Sequence, residues 1–137
     1  MFLLDTNVVS ELRRPRPHGG VVAWLRSIPE AGLRISAVTL GEIQRGIEIT
    51  RRRDAAKARE IELWADELER TFAVVAADGA IFRRHARMMS ARPDAAYEDA
   101  LIAATASVLD LSVATRNVAD FQGFEVRLFD PFRPAPG

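Results

Sequence analysis

The chain of 137 residues contains no cysteine. Disulfides and thiolate metal ligands are therefore excluded, and an intracellular, cytoplasmic home fits. Histidine is almost as scarce, with only His18 and His85. A zinc site built on nitrogen and sulfur is thus excluded in practice. No apolar run approaches the ~20 residues that a membrane-spanning helix needs, so no membrane partner is expected. No basic segment precedes a long apolar one at the N-terminus, so no signal peptide is expected either. There is no excess of one charge: nineteen basic and nineteen acidic residues cancel. Net charge gives no case for nucleic-acid binding, and only local clustering can. Lysine is nearly absent too, Lys57 standing alone among arginines. Guanidinium forks suit phosphate oxygens, although genome composition produces the same bias.

What is present is an ordinary globular composition, 48% apolar and 28% charged. One domain of this length buries roughly two-thirds of the surface its unfolded chain exposes. Short apolar runs alternate with helical patterns. "FLL", "LRISAV", "FAVVA", "LSVAT" and "FEVRLF" read as five strands. Between them lie helical stretches: Asn7 to Arg13, stopped by "RRPRP", then "VVAWLRSI" and "TLGEIQRGIEI". The longest runs from Asp54 to Phe72, with Ile61, Trp64, Leu68 and Phe72 in one stripe. Asp78 is placed to cap the next helix, and Pro93 and Asp94 to open the one after, "AAYEDALIAATASVL". "DPFRPAPG" reads as a frayed tail. Alternating strands and helices imply right-handed crossovers, a mainly parallel sheet and helices on both faces. The expectation is one three-layer α/β/α domain over 1–132, with a short disordered tail at 133–137.

In such a sheet, sites form beyond the carboxyl ends of the strands. Four acids fall there: Asp5 after the first strand, Glu42 after the second, Asp120 after the fourth, and Asp99 early in the helix feeding the fourth. Each has a plain structural explanation. Asp5 or Thr6 suits a helix cap. Thr39 and Glu42 have capping-box spacing, as have Asn117 and Asp120. Asp99 suits a helix N-terminus. His85 reads as a half-buried packing residue and His18 as a solvated loop residue. Taken together, however, the acids need a counter-charge. Like charges ~4 Å apart repel by about 4 kcal/mol at an effective dielectric near 20. Only Arg116 is a neighbouring cation in sequence. A hard divalent cation on oxygen ligands, Mg²⁺ or Mn²⁺, resolves the conflict.

Four segments in order, "LLDTNVVSEL", "SAVTLGEIQRGI", "EDALIAATA" and "VATRNVADF", resemble the PIN-domain ribonucleases. Within them the resemblance is to the VapC and FitB toxins of type II toxin–antitoxin pairs, and it spans Met1 to about Phe132. It implies a PIN-like fold and Mg²⁺-dependent hydrolysis of RNA phosphodiester bonds. It further implies a catalytic pocket of Asp5, Glu42, Asp99 and Asp120, with Asp5 and Asp99 as metal ligands. Asn7, Thr115 and Asn117 would orient water or carboxylates. Some relatives carry an acid where Asn117 stands. Here Asn117 is neutral and the acid is Asp120, which leaves the fourth ligand and the number of metals open. Glu98 would point away from the pocket. The implied partners are RNA, a cognate antitoxin, and further copies in a homodimer or toxin–antitoxin hetero-oligomer. Arg13, Arg14, Arg16 and Arg45 are the candidates for holding an RNA backbone. The rival readings have specific gaps. A phosphoacceptor receiver domain needs a lysine at a late strand end, and Lys57 lies in a helical region. A haloacid-dehalogenase-like phosphatase needs an acid at position 7, where Asn7 stands. A decayed PIN-like module that binds without cleaving is the remaining alternative.

Overall fold

In a computed structural model, which describes residues 1–133, the five strands form one wholly parallel sheet. The strands are β1 (Phe2–Leu4), β2 (Leu33–Ser36), β3 (Ala73–Val75), β4 (Ser112–Ala114) and β5 (Leu128–Phe129). Their spatial order is β3-β2-β1-β4-β5. The chain builds outward from β1 in one direction, then returns to the other side of β1 with β4. The order therefore reverses between β1 and β4, and the crevice opens beyond their carboxyl ends. Register places Leu4 of β1 between Ile35 of β2 and Ala114 of β4. Asp5 and Thr115 are thus neighbours across that reversal.

Seven α-helices connect the described strands: α1 (Thr6–Val9), α2 (Gly19–Ser27), α3 (Ala37–Arg51), α4 (Ala55–Thr71), α5 (Gly79–Ala91), α6 (Tyr97–Leu109) and α7 (Val118–Phe121). Period-two alternation in β1 sends Leu3 and Leu4 to opposite faces, and both are fully buried. Leu4 joins Val8, Ile35, Ile43 and Ile47 on one side. Leu3 joins Ile102, Ala103, Ala106, Val113 and Phe121 on the other. Helix α6 is buried from Ala100 to Ala106, and its run of alanines lets its backbone lie close to the sheet. The layers are those expected. Removing a ring such as Phe121, which is fully buried, would cost about 3–5 kcal/mol.

The differences from the expected elements have local causes. Helix α3 starts at Ala37, because Ser36 accepts the amide of Val38. Thr39 therefore lies inside the helix, and the capping box with Glu42 does not form. Helix α6 starts at Tyr97 with no side-chain cap, so Asp94 does not open it. Helix α7 likewise has no cap bond from Asn117. The first helix is one α-turn continued by a 3-10 turn, Ser10–Arg13. His18 is not a solvated loop residue: its Nδ1 accepts the amide of Val21 and caps α2, while its ring packs on Phe132. His85 is buried rather than half-buried, in contact with Tyr97 and Phe82. Strand β5 keeps only two residues of "FEVRLF". Pro131 is buried and Phe132 half-buried, so this part of the tail packs. Of the expected tail, Arg133 stands beside Asp130 and residues 134–137 lie outside the described chain.

Candidate active site

Asp5 is 6% exposed and leaves β1 through a backbone bond from its N–H to the Ala114 carbonyl, 2.9 Å. Its Oδ1 accepts the Thr6 amide at 2.8 Å and caps α1. Its Oδ2 accepts the Thr115 hydroxyl at 2.8 Å and the Asn7 amide at 3.2 Å. The cap and the site are one side chain. Three donors stabilise the charged form, yet burial outweighs them and raises the Asp5 pKa, with Asp120 adding to the rise.

The donors are themselves held. Asn7 Nδ2 also donates to Thr115 Oγ1 at 3.3 Å, and Asn7 Oδ1 accepts the Arg116 amide at 3.1 Å. Thr115, fully buried, accepts the Asn117 amide at 2.9 Å. Arg116 turns its guanidinium over the Phe132 ring, 4.0 Å from the centroid, and forms no ion pair with the acids.

Glu42 sits on the second turn of α3. The Thr6 hydroxyl donates to its Oε1 at 3.2 Å and approaches Thr39 Oγ1 at 3.5 Å, tying α1 to α3. Burial raises the Glu42 pKa, with the charges of Asp5, Glu98 and Asp99 adding to it. Asp99, in the first turn of α6, is pushed up to about 6 by burial and then by Asp5, Asp120 and Glu98. Glu98 is half-buried rather than exposed, and its charge adds to the rise at both Glu42 and Asp99. Its neighbour position was legible; its orientation depends on how α6 meets α3. Asp120 is exposed, but its charge reaches Asp5 and Asp99. Asn117 is exposed.

Asp5, Glu42 and Asp99 thus feel the charges of neighbouring acids, Glu98 and Asp120 included, and among the described residues none of the five pairs with a basic side chain. Among those residues no three acids stand as a ready metal cage. Neighbouring acids add to the raised pKa values of Asp5, Glu42 and Asp99, yet the acids do not converge on one point. Oxygen donors and uncompensated negative charge are what a hard divalent cation would need.

Of the basic candidates, Arg13 lines a hollow of about 240 Å³ with Thr6, Ser10 and Glu42. Arg14 is held by buried Glu11 at 3.2 Å. Arg16 and Arg45 are exposed. Within the second basic stretch, Arg51 is taken by Glu48 and Glu62, and Lys57 by Glu60.

This arrangement has relatives. Residues 2–122 match the family model described as the PIN domain. The chain belongs to the PIN-domain family. Within it, the chain is 35% identical to Toxin FitB of Neisseria gonorrhoeae, over 96% of this chain and 99% of that protein. It is 30% identical to VapC ribonuclease Y4jK of Sinorhizobium fredii, over 98% and 100%. Among solved structures, FitAcB from Neisseria gonorrhoeae superposes with a TM-score of 0.83 at 31% identity, covering 98% of this chain and all of that one. FitAB bound to an IR36 DNA fragment gives 0.86 at 29%, covering 99% of each. The chain is therefore a PIN-domain protein of the VapC and FitB group, with the expected α/β fold. Among the described residues no helix is long and apolar enough to cross a membrane.

Proposed function

We propose that the chain is the ribonuclease toxin of a type II toxin–antitoxin pair, hydrolysing RNA phosphodiester bonds with Mg²⁺ or Mn²⁺. The observation that carries this is the uncompensated carboxylate cluster, in which Asp99 is pushed up to about 6 by burial and its acidic neighbours. A fold maintains such a cluster against its own repulsion where a cation completes it. The names of FitB and the VapC ribonucleases support the toxin and RNA readings.

Asp5 and Asp99 are the residues that would hold the metal, and Asp120 supplies the remaining negative charge. A divalent ion held there would lower the pKa of a water and offset charge on the phosphate oxygens. Thr115 and Asn7 fix the Asp5 carboxylate through its Oδ2 and so set the direction of its free lone pairs. Glu42, positioned by Thr6, accepts the proton of the attacking water; its raised pKa brings it nearer to a working base at neutral pH. Arg13, beside Glu42, with Arg16 and Arg45 would hold the backbone, whereas Arg14 is occupied by Glu11. The partner that silences the enzyme is a cognate antitoxin, in a homodimer or hetero-oligomer in the cytoplasm. The domain is proposed to span 1–132.

The test is cleavage of total RNA in EDTA, Mg²⁺ and Mn²⁺. Metal-dependent cleavage that is lost in Glu42→Gln, with folding retained, is expected. RNA binding without cleavage in any metal would leave a decayed binding module instead.

A further inference from the structure

Six of the nineteen basic side chains pair with an acid among the described residues, Arg51, Arg70, Arg127 and Arg133 among them. One hollow gathers three of those that do not. A concavity of about 340 Å³ is lined by Arg84, Arg87 and Arg92, with Ser107, Met88 and Phe124 among its walls. Among the described residues none of the three arginines pairs with a carboxylate. Glu125 is the one acid on its rim, and it is exposed.

Two of the guanidiniums are fixed in place. Arg84 donates to the Ser107 hydroxyl of α6. Arg92 donates to the Gln122 carbonyl and lies over the Phe124 ring, 4.9 Å from its centroid. The backbone makes room for it at Gly123, whose φ is +95° and where a Cβ would stand 2.7 Å from Arg92 Nη1. The positive φ is what favours glycine there. The third, Arg87, is exposed on the same helix one turn beyond Arg84. Pre-fixed, unpaired guanidiniums around a partly apolar hollow match a phosphate group. Their forks align with its oxygens and little side-chain entropy remains to be lost.

We propose that this hollow between α5, α6 and the turn before β5 is a phosphate-binding site, separate from the carboxylate crevice. Its phosphate belongs to the backbone of the RNA, and in that respect the proposal rests on the RNA reading of the crevice. Asp99 and Ser107 lie on one helix, about 12 Å apart along its axis. A short single strand is long enough to span that distance.

The experiment measures binding of a fluorescein-labelled single-stranded RNA in EDTA, between 50 and 200 mM salt, in arms that separate the two readings. The variants are wild type, Arg87→Gln and Arg84→Gln/Arg87→Gln. Arg87 is exposed, so Arg87→Gln should keep the wild-type melting temperature, whereas Arg84→Gln also gives up the bond to Ser107, and the double variant is compared after circular dichroism shows it folded. The double variant should bind about tenfold more weakly at low salt, and its salt slope should fall by about 1.4, or about 0.7 for each guanidinium removed from a phosphate. Mn²⁺ titration should be unchanged. A second arm follows melting in tripolyphosphate. Stabilisation of wild type alone, without RNA binding, would keep the phosphate site and assign a free phosphate as its ligand. Equal RNA affinity and slope in all three proteins, with no tripolyphosphate effect, would overturn the proposal while leaving RNA cleavage at the crevice untouched. Failure of wild type to cleave RNA would count against the crevice reading alone.

Discussion

Asp99→Asn should make the metal-free protein more stable, which is unusual for a change at an active site. Asp99 is pushed up from 3.8 to about 6. An acid whose pKa is higher in the fold than in the unfolded chain binds its proton more tightly when folded. Its contribution is therefore present at low pH and lost as pH rises from about 4 through about 6. At neutral pH the bare carboxylate is a liability. The whole shift would correspond to about 3 kcal/mol. Asp99 is only partly buried, so solvent screening removes much of that. The dipole of α6 offsets part of the remainder. About 1 kcal/mol should survive, equivalent to about 3–5 °C in melting temperature for a chain of this size. The assay is thermal unfolding in EDTA at pH 7 and pH 4. Asp99→Asn should melt higher than wild type at pH 7 and equally at pH 4. In saturating Mn²⁺ the order should reverse, since wild type alone gains the full binding energy. An Asn variant that melts lower at pH 7 in EDTA would refute the reasoning, because Asp99 would then be stabilised by its neighbours.

Thr115→Val removes the hydroxyl that donates to Asp5 and accepts from Asn117 and Asn7. It should cost about 1.5–3 kcal/mol by chemical denaturation and raise the Asp5 pKa further. Ser36→Ala deletes the true cap of α3 and should cost about 1 kcal/mol. Thr39→Val, at the third position of the helix, should show no helix-capping loss by the same measurement. Asp120→Asn should slow RNA cleavage at least tenfold, about 1.4 kcal/mol in the barrier, and Asn117→Ala less. A dead but folded Asn117→Ala beside a fully active Asp120→Asn would reverse the assignment.

The sheet, its parallel sense and the carboxyl-edge position of the acids were legible because strands of apolar residues alternate with helical periods. Boundaries were less so. "SAVTLGE" offers two caps, Ser36 and Thr39, and sequence spacing favours the capping box. The backbone chose Ser36 because β2 ends there, paired with Val75. His18 and Phe132 could not be read as partners, since their contact joins the two ends of the chain. Glu98 is half-buried where spacing along one helix suggested an exposed residue, because what covers a helix face is set by its tertiary neighbours. The arginine hollow was invisible, because it joins α5 to residues 122–124 through tertiary contact alone.

The central claim is that Asp5 anchors a metal-dependent nuclease site, and one measurement addresses it most directly. Cleavage of RNA by wild type and Asp5→Asn is followed with Mg²⁺ and with EDTA, both proteins first shown to be folded. Cleavage by wild type only with Mg²⁺, and loss of at least a hundredfold in the variant (about 2.7 kcal/mol in the barrier), is the predicted result. Wild-type cleavage in EDTA, or an Asp5→Asn variant as fast as wild type, would contradict it.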